Sequence, residues 1–221
     1  DPNKTEHARL LEAAFRKLCL AWLNSDTVLA GDGHVEILAL LEKKPASDLS
    51  KAANALAAVL AWDLCNGLWN ESARKAFADR IASIARSFLE ITQGNPHVVT
   101  NNWWMLTHGG CLLACIAVDG EEGTNGKIDL SDLKEWSLHR FTAFCQVFGN
   151  AGLYHEGSGY ITYTLSMLMP ALVAVERHLN PDILKEFPQF RNSLASMLVG
   201  TAPFSHTDNG AVNPTFGAAL Q

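Results

Sequence analysis

Ser47-Asp48-Leu49-Ser50-Lys51-Ala52-Ala53-Asn54-Ala55-Leu56-Ala57-Ala58-Val59-Leu60-Ala61-Trp62-Asp63-Leu64-Cys65-Asn66 is the stretch whose reading decides the fold class. Ser47 or Asp48 is a helix cap, because either side chain can accept from the orphan N–H groups of a first turn. Behind it Ala and Leu dominate, the residues that lose least on entering a helix. The apolar run Leu56–Trp62 is too short to cross a bilayer, which takes about 20 residues.

The same pattern extends in both directions. Upstream, helical spacing of apolar residues fits Glu6 to Asn24, closed by Ser25-Asp26-Thr27, and His34 to Lys43 before Pro45. Downstream, Asn70 caps a helix to Thr92, with Gly94 and Pro96 as its stop. Further helices fit Asn102 to Val118, Asp129 to Phe148, Glu156 to His178 with a kink at Pro170, and Asp182 to Val199. Gly120 to Gly126 and Phe148 to Gly159 read as loops. Alternating Val, Ile and Thr are almost absent, so the chain is all-α, built of antiparallel helical hairpins. Residues 1–200 read as one domain and 201–221 as an irregular segment, rich in Gly, Pro, Asn and Thr, leading towards a further domain. Periodicity alone leaves a globin-like cluster, an α-solenoid and an α/α toroid open.

With 221 residues, 48% hydrophobic and 18% charged, the chain can bury a sizeable core, which excludes disorder and collagen-like repeats. Its 17 Lys+Arg against 23 Asp+Glu exclude a basic nucleic-acid footprint. A net charge of -6 does not exclude an acidic substrate, because donors gathered in a cleft outweigh a distant, screened excess. Neither a nucleic acid nor a membrane is an expected partner. Cys19, Cys65, Cys111, Cys115 and Cys145 are odd in number, lack a C-x-x-C spacing and lie in apolar segments, so they read as core thiols.

Two segments bring aromatic, amide, imidazole and phenol groups to the starts of apolar helices. The first is Thr100-Asn101-Asn102-Trp103-Trp104-Met105-Leu106-Thr107-His108-Gly109-Gly110. Seven residues return to within about 20° of one helical face, so Asn101, Trp104 and His108 form a stripe, with Asn102 nearer the helix mouth. Gly109 and Gly110 each cost about 1 kcal/mol of helix propensity, which a close helix crossing or a ligand approaching the backbone would explain. A plain core accounts for these residues too: an Asn cap, two core tryptophans and an interior histidine. Two adjacent Asn need only one cap, however, and Trp103 and Trp104 point about 100° apart, so one Trp is expected at a cleft, where indole can stack on a sugar ring.

The second segment is Gly149-Asn150-Ala151-Gly152-Leu153-Tyr154-His155-Glu156-Gly157-Ser158-Gly159-Tyr160-Ile161-Thr162-Tyr163-Thr164. Its glycines free the backbone before the helix starts. Glu156, Tyr160 and Tyr163 then fall at i, i+4 and i+7 on one face, beside His155. A capping Glu with boundary tyrosines is the bland alternative. His108, His155, His206 and Asp208 do not make a metal-ligand set, and Ser158 lacks the strand that a nucleophile elbow needs, so no metal and no cofactor is expected.

On Asn101-Asn102-Trp103-Trp104 running into His108-Gly109-Gly110, and on Gly152-Leu153-Tyr154-His155-Glu156-Gly157-Ser158-Gly159-Tyr160 with Tyr163 behind it, the chain resembles the heparinase II/III-like and alginate-lyase-like polysaccharide lyases. The resemblance covers about residues 97 to 180, by the order and spacing of the two motifs. It implies an incomplete (α/α) toroid, often followed by a β-sandwich domain, and periplasmic or secreted placement. It also implies β-elimination on an acidic, uronic-acid-containing polysaccharide or oligosaccharide, in which the C5 proton is abstracted and the 4-O oxygen leaves. Carried over, Tyr160 is the catalytic acid, Tyr160 or His108 the base, and Asn102 the group that neutralises the substrate carboxylate. Asn101, Trp103, Trp104, His155, Glu156 and Tyr163 are expected to bind substrate. Trp103 stands where several members of the family have His, which is why the base falls to His108 or Tyr160. An (α/α) glycoside hydrolase using Glu156 with Asp208 or Asp63, and a non-catalytic glycan-binding helical domain, are the competing readings.

Overall fold

The structure, a computed structural model, describes residues 2–45, 47–94, 101–149 and 158–190. These are mostly helical, so the all-α class holds: α1 (Pro2–Asn24), α2 (Thr27–Glu42), α3 (Asp48–Cys65), α4 (Glu71–Gly94), α5 (Asn102–Val118), α6 (Ser131–Cys145), α7 (Ser158–His178) and a short α8 (Ile183–Glu186). Among the described residues, strand is confined to β1 (Glu122–Gly123) and β2 (Gly126–Lys127), antiparallel with Glu122 opposite Lys127. The chain groups into two compact units, Asp1–Pro96 with Gly110–Trp136, and His97–Gly109 with Ser137–Gln221. The reading of residues 1–200 as one domain draws no such division.

In the first unit α1 and α2 form a hairpin. Ser25 takes a left-handed φ of 55° and Asp26 caps α2, its carboxylate accepting from Val28 N (3.0 Å) and Leu29 N (2.9 Å). Helix α2 therefore starts at Thr27, ahead of the expected His34. At Gly33 an added Cβ would come within 2.6 Å of Leu18 Cδ2, so the glycine lets α1 and α2 approach closely. Ser47 caps α3, accepting from Ser50 N, and Asn70 caps α4, accepting from Ala73 N, both as expected. Helix α3 packs on α1, α2 and α4, and α2 packs on α4. Fully buried alanines such as Ala55, Ala58, Ala78 and Ala82 make this close packing possible, and Leu18, Phe77, Ile81 and Phe88 fill the core.

The expected Gly120 to Gly126 loop is the β1–β2 hairpin, turned by positive φ at Gly120 (87°) and Gly126 (112°). Asp79 of α4 accepts from Thr124 N at 2.9 Å and holds its tip. Asp119 closes its base by accepting from Leu130 N (2.8 Å) and pairing with Lys134. Burial works against a charge on Asp119, but Lys134 and the Leu130 N–H outweigh it and keep this carboxyl below the usual carboxylate range.

In the second unit the buried side chains include Met105, Phe141, Phe144, Met167 and Leu168. Phe148 packs edge-on against Phe144 and Phe190, and Gln189 Nε2 donates to Cys145 O at 3.1 Å. Helix α7 runs on through Pro170. The expected helix from Asp182 to Val199 is corrected at its start: α8 stops at Glu186, because Pro188 disfavours helical backbone at Phe187, which has φ -120° and ψ 64°. Residues 191–221 lie outside the described residues.

Candidate functional site

Helix α5 opens as the sequence motif requires. Asn101 is its cap, with Oδ1 accepting from Trp104 N at 3.1 Å, and Asn102 beside it is buried, 4% exposed. Thr107, also buried, donates its hydroxyl to Trp103 O (2.7 Å) and Trp104 O (3.2 Å), tying the first turn to the second.

The stripe expected on this helix is present. The Trp104 and His108 rings meet with centroids 4.4 Å apart at 62°. Trp104 is also held from α6: its Nε1 donates to Arg140 O at 3.0 Å, and the Arg140 guanidinium lies 5.6 Å from the indole centroid. Trp104 is thus a fixed, half-buried side chain, and Trp103 is half-buried as well. His108 is 1% exposed, beneath Trp104. Arg140 was not legible as part of this site, since nothing near it in sequence marks a contact made across helices.

Gly109 and Gly110 separate in role. In the second unit, a Cβ on Gly109 would fall 2.4 Å from Met105 Cε and 2.9 Å from Met167 Cγ, so α5 and α7 meet there. In the first unit, a Cβ on Gly110 would lie 3.4 Å from Ala52 Cα and 3.5 Å from Phe88 Cζ, in ordinary contact. Close helix packing explains Gly109, whereas an alanine would fit at Gly110.

Tyr160 and Tyr163 stand in the first two turns of α7, 55% and 42% exposed. Ser166 Oγ donates to Tyr163 O at 2.6 Å. Thr164, one turn after Tyr160, is fully buried, and its hydroxyl has no hydrogen-bond partner among the described residues. His155, Glu156 and Asp208 lie outside the described residues, and Asp63 is exposed on α3 in the first unit. Among the described residues, no three His, Cys, Asp or Glu side chains gather in a way that would hold a metal ion. No described helix is long and apolar enough to cross a membrane.

All five cysteines are free thiols. Burial, with Cys19 nearby, pushes the Cys65 thiol up to about 11, and burial raises that of Cys145 further, so neither is poised as a nucleophile.

Set against known protein families, curated proteins and solved structures, the chain matches none of them.

Proposed function

We propose that the chain is a polysaccharide lyase domain, of incomplete (α/α) toroid type, that cleaves a uronic-acid-containing glycan by β-elimination. The observation that carries this reading is the Gly109–Met167 contact between α5 and α7. Asn102 precedes Gly109 by seven residues and Tyr160 precedes Met167 by seven, about 10.5 Å along each helix. We take α5 and α7 to run in the same direction, as alternate helices of an up–down succession do, an arrangement that would bring Asn102 and Tyr160 level at the helix starts.

The exposed phenol of Tyr160 and the amide of Asn102 suit the two demands of elimination. The amide donates to the substrate carboxylate as it gains enolate character, and the phenol delivers the proton to the departing 4-O oxygen. Burial of His108 favours Tyr160 for proton abstraction as well, with His108 positioning Trp104. The half-buried Trp103 is the stacking platform in this reading. Periplasmic or secreted placement, and a neighbouring β-sandwich domain, belong to the same proposal.

Incubation with a panel of uronic-acid polysaccharides, followed by near-ultraviolet absorbance of unsaturated products, tests it. The expected result is a rise that Tyr160→Phe lowers by about 10²- to 10⁴-fold while glycan binding is kept. New reducing ends without absorbance would instead favour hydrolysis with Glu156, and binding with neither signal would favour a non-catalytic glycan module.

A further inference from the structure

The first unit contains a cleft of about 500 Å³ where the end of α2 and the start of α3 face the side of α4. Four cationic side chains line it, Lys43, Lys44, Lys51 and Arg80, against two carboxylates, Glu42 and Asp48. In a chain of net charge -6 this is a local reversal of sign.

Two of the cations are held in place by carbonyls rather than by acids. Lys51 Nζ donates to Ser87 O at 3.0 Å and lies 5.8 Å from the Phe88 ring centroid. Arg80 Nη2 donates to Leu41 O in the last turn of α2. An ammonium has three donors and a guanidinium five, so both keep donors to spare. Arg80 Nε is buried and has no hydrogen-bond partner among the described residues. Asn54, which also lines the cleft, is 6% exposed. A buried guanidinium N–H left without a partner costs about 1–3 kcal/mol or more, so Arg80 Nε calls for an acceptor.

We propose that this cleft binds a small solute through a carboxylate, sulfate or phosphate group, which accepts from Arg80 Nε, Lys51 Nζ and Asn54 Nδ2. A neutral guest would leave the excess positive charge uncompensated, and a cation would be repelled by it. The site shares no residue with the one proposed around Tyr160 and Asn102 and does not rest on the lyase reading.

The test titrates the full chain with inorganic phosphate, inorganic sulfate and D-glucuronate, following the Asn54 carboxamide and Arg80 Nε–H resonances by NMR. Saturable shifts with half-saturation at or below about 10 mM are expected for at least one anion. Equal response to the inorganic ions would assign the site to a free oxyanion, and a preference for glucuronate to an acidic sugar. Arg80→Gln should weaken binding about tenfold or more. Because Arg80 also holds the end of α2, Ser83→Asp serves as the second variant; it is exposed, lines the cleft and adds one negative charge, with the same expected loss. No saturable shift with any of the three anions, or half-saturation unchanged in Ser83→Asp, would overturn the proposal.

Discussion

His34 is 7% exposed, its Nε2 donating to Ala73 O at 3.0 Å and its ring packed 5.0 Å from Trp69 and 5.5 Å from Phe77, centroid to centroid. Burial lowers its pKa from the ordinary 6.5, more than the Ala73 carbonyl restores, so the folded chain holds this imidazole neutral. Above about pH 6.5 the unfolded imidazole is neutral too and the contribution is complete; as pH falls from 6.5 through the lower folded value, the unfolded state binds the proton first and stability is lost. The difference in unfolding free energy between wild type and His34→Leu, from urea titrations at several pH values, should therefore grow with pH to about 6.5 and then level off. A difference independent of pH would mean that the ring is not held neutral. At this scale the sequence was legible where a side chain bonds to its own neighbourhood, as Asn101 and Ser47 do as caps. It was silent where the partner comes from another helix, as Arg140 does at Trp104 or Arg80 at Leu41.

The helices themselves were mostly legible, because cap residues and apolar spacing are local signals. The starts of α3, α4 and α5 fall where Ser47, Asn70 and Asn101 put them. The displaced boundaries have physical causes: Gly33 lies inside α2, where close packing on Leu18 requires it, and Pro188 stops α8 after Glu186. The glycine pair of α5 gives a sharp test of packing at this scale. Gly109→Ala forces Met167 and Met105 to shift and should destabilise by about 1–3 kcal/mol. Gly110→Ala meets only ordinary contacts and gains helix propensity, so it should be neutral or stabilising by up to about 1 kcal/mol. Thermal or urea unfolding of the two variants side by side checks this; equal losses would show that the two glycines do not differ in surroundings.

For the whole molecule, helical spacing repeated along the chain defined the all-α class, and the apolar segments around the cysteines marked them as core thiols. Four of the thiols, Cys65, Cys111, Cys115 and Cys145, are buried and Cys19 is partly so. A disulfide-exchange reagent should thus modify no more than Cys19 rapidly in the native protein and all five in denaturant, and a reductant should leave the midpoint of thermal unfolding unchanged. Rapid reaction of two or more native thiols would contradict the burial. A net charge says nothing about a local reversal of sign, and so the cleft beside Arg80 lay hidden in a chain whose balance is acidic.

Every residue of α5 from Met105 to Cys115 is buried, so this helix has no side meant for water. Met167, which covers Gly109, leaves the ribosome on the order of seconds after α5 does. Throughout that interval the nascent chain shows an apolar helix of the kind that chaperones capture, a surface that the finished protein no longer displays.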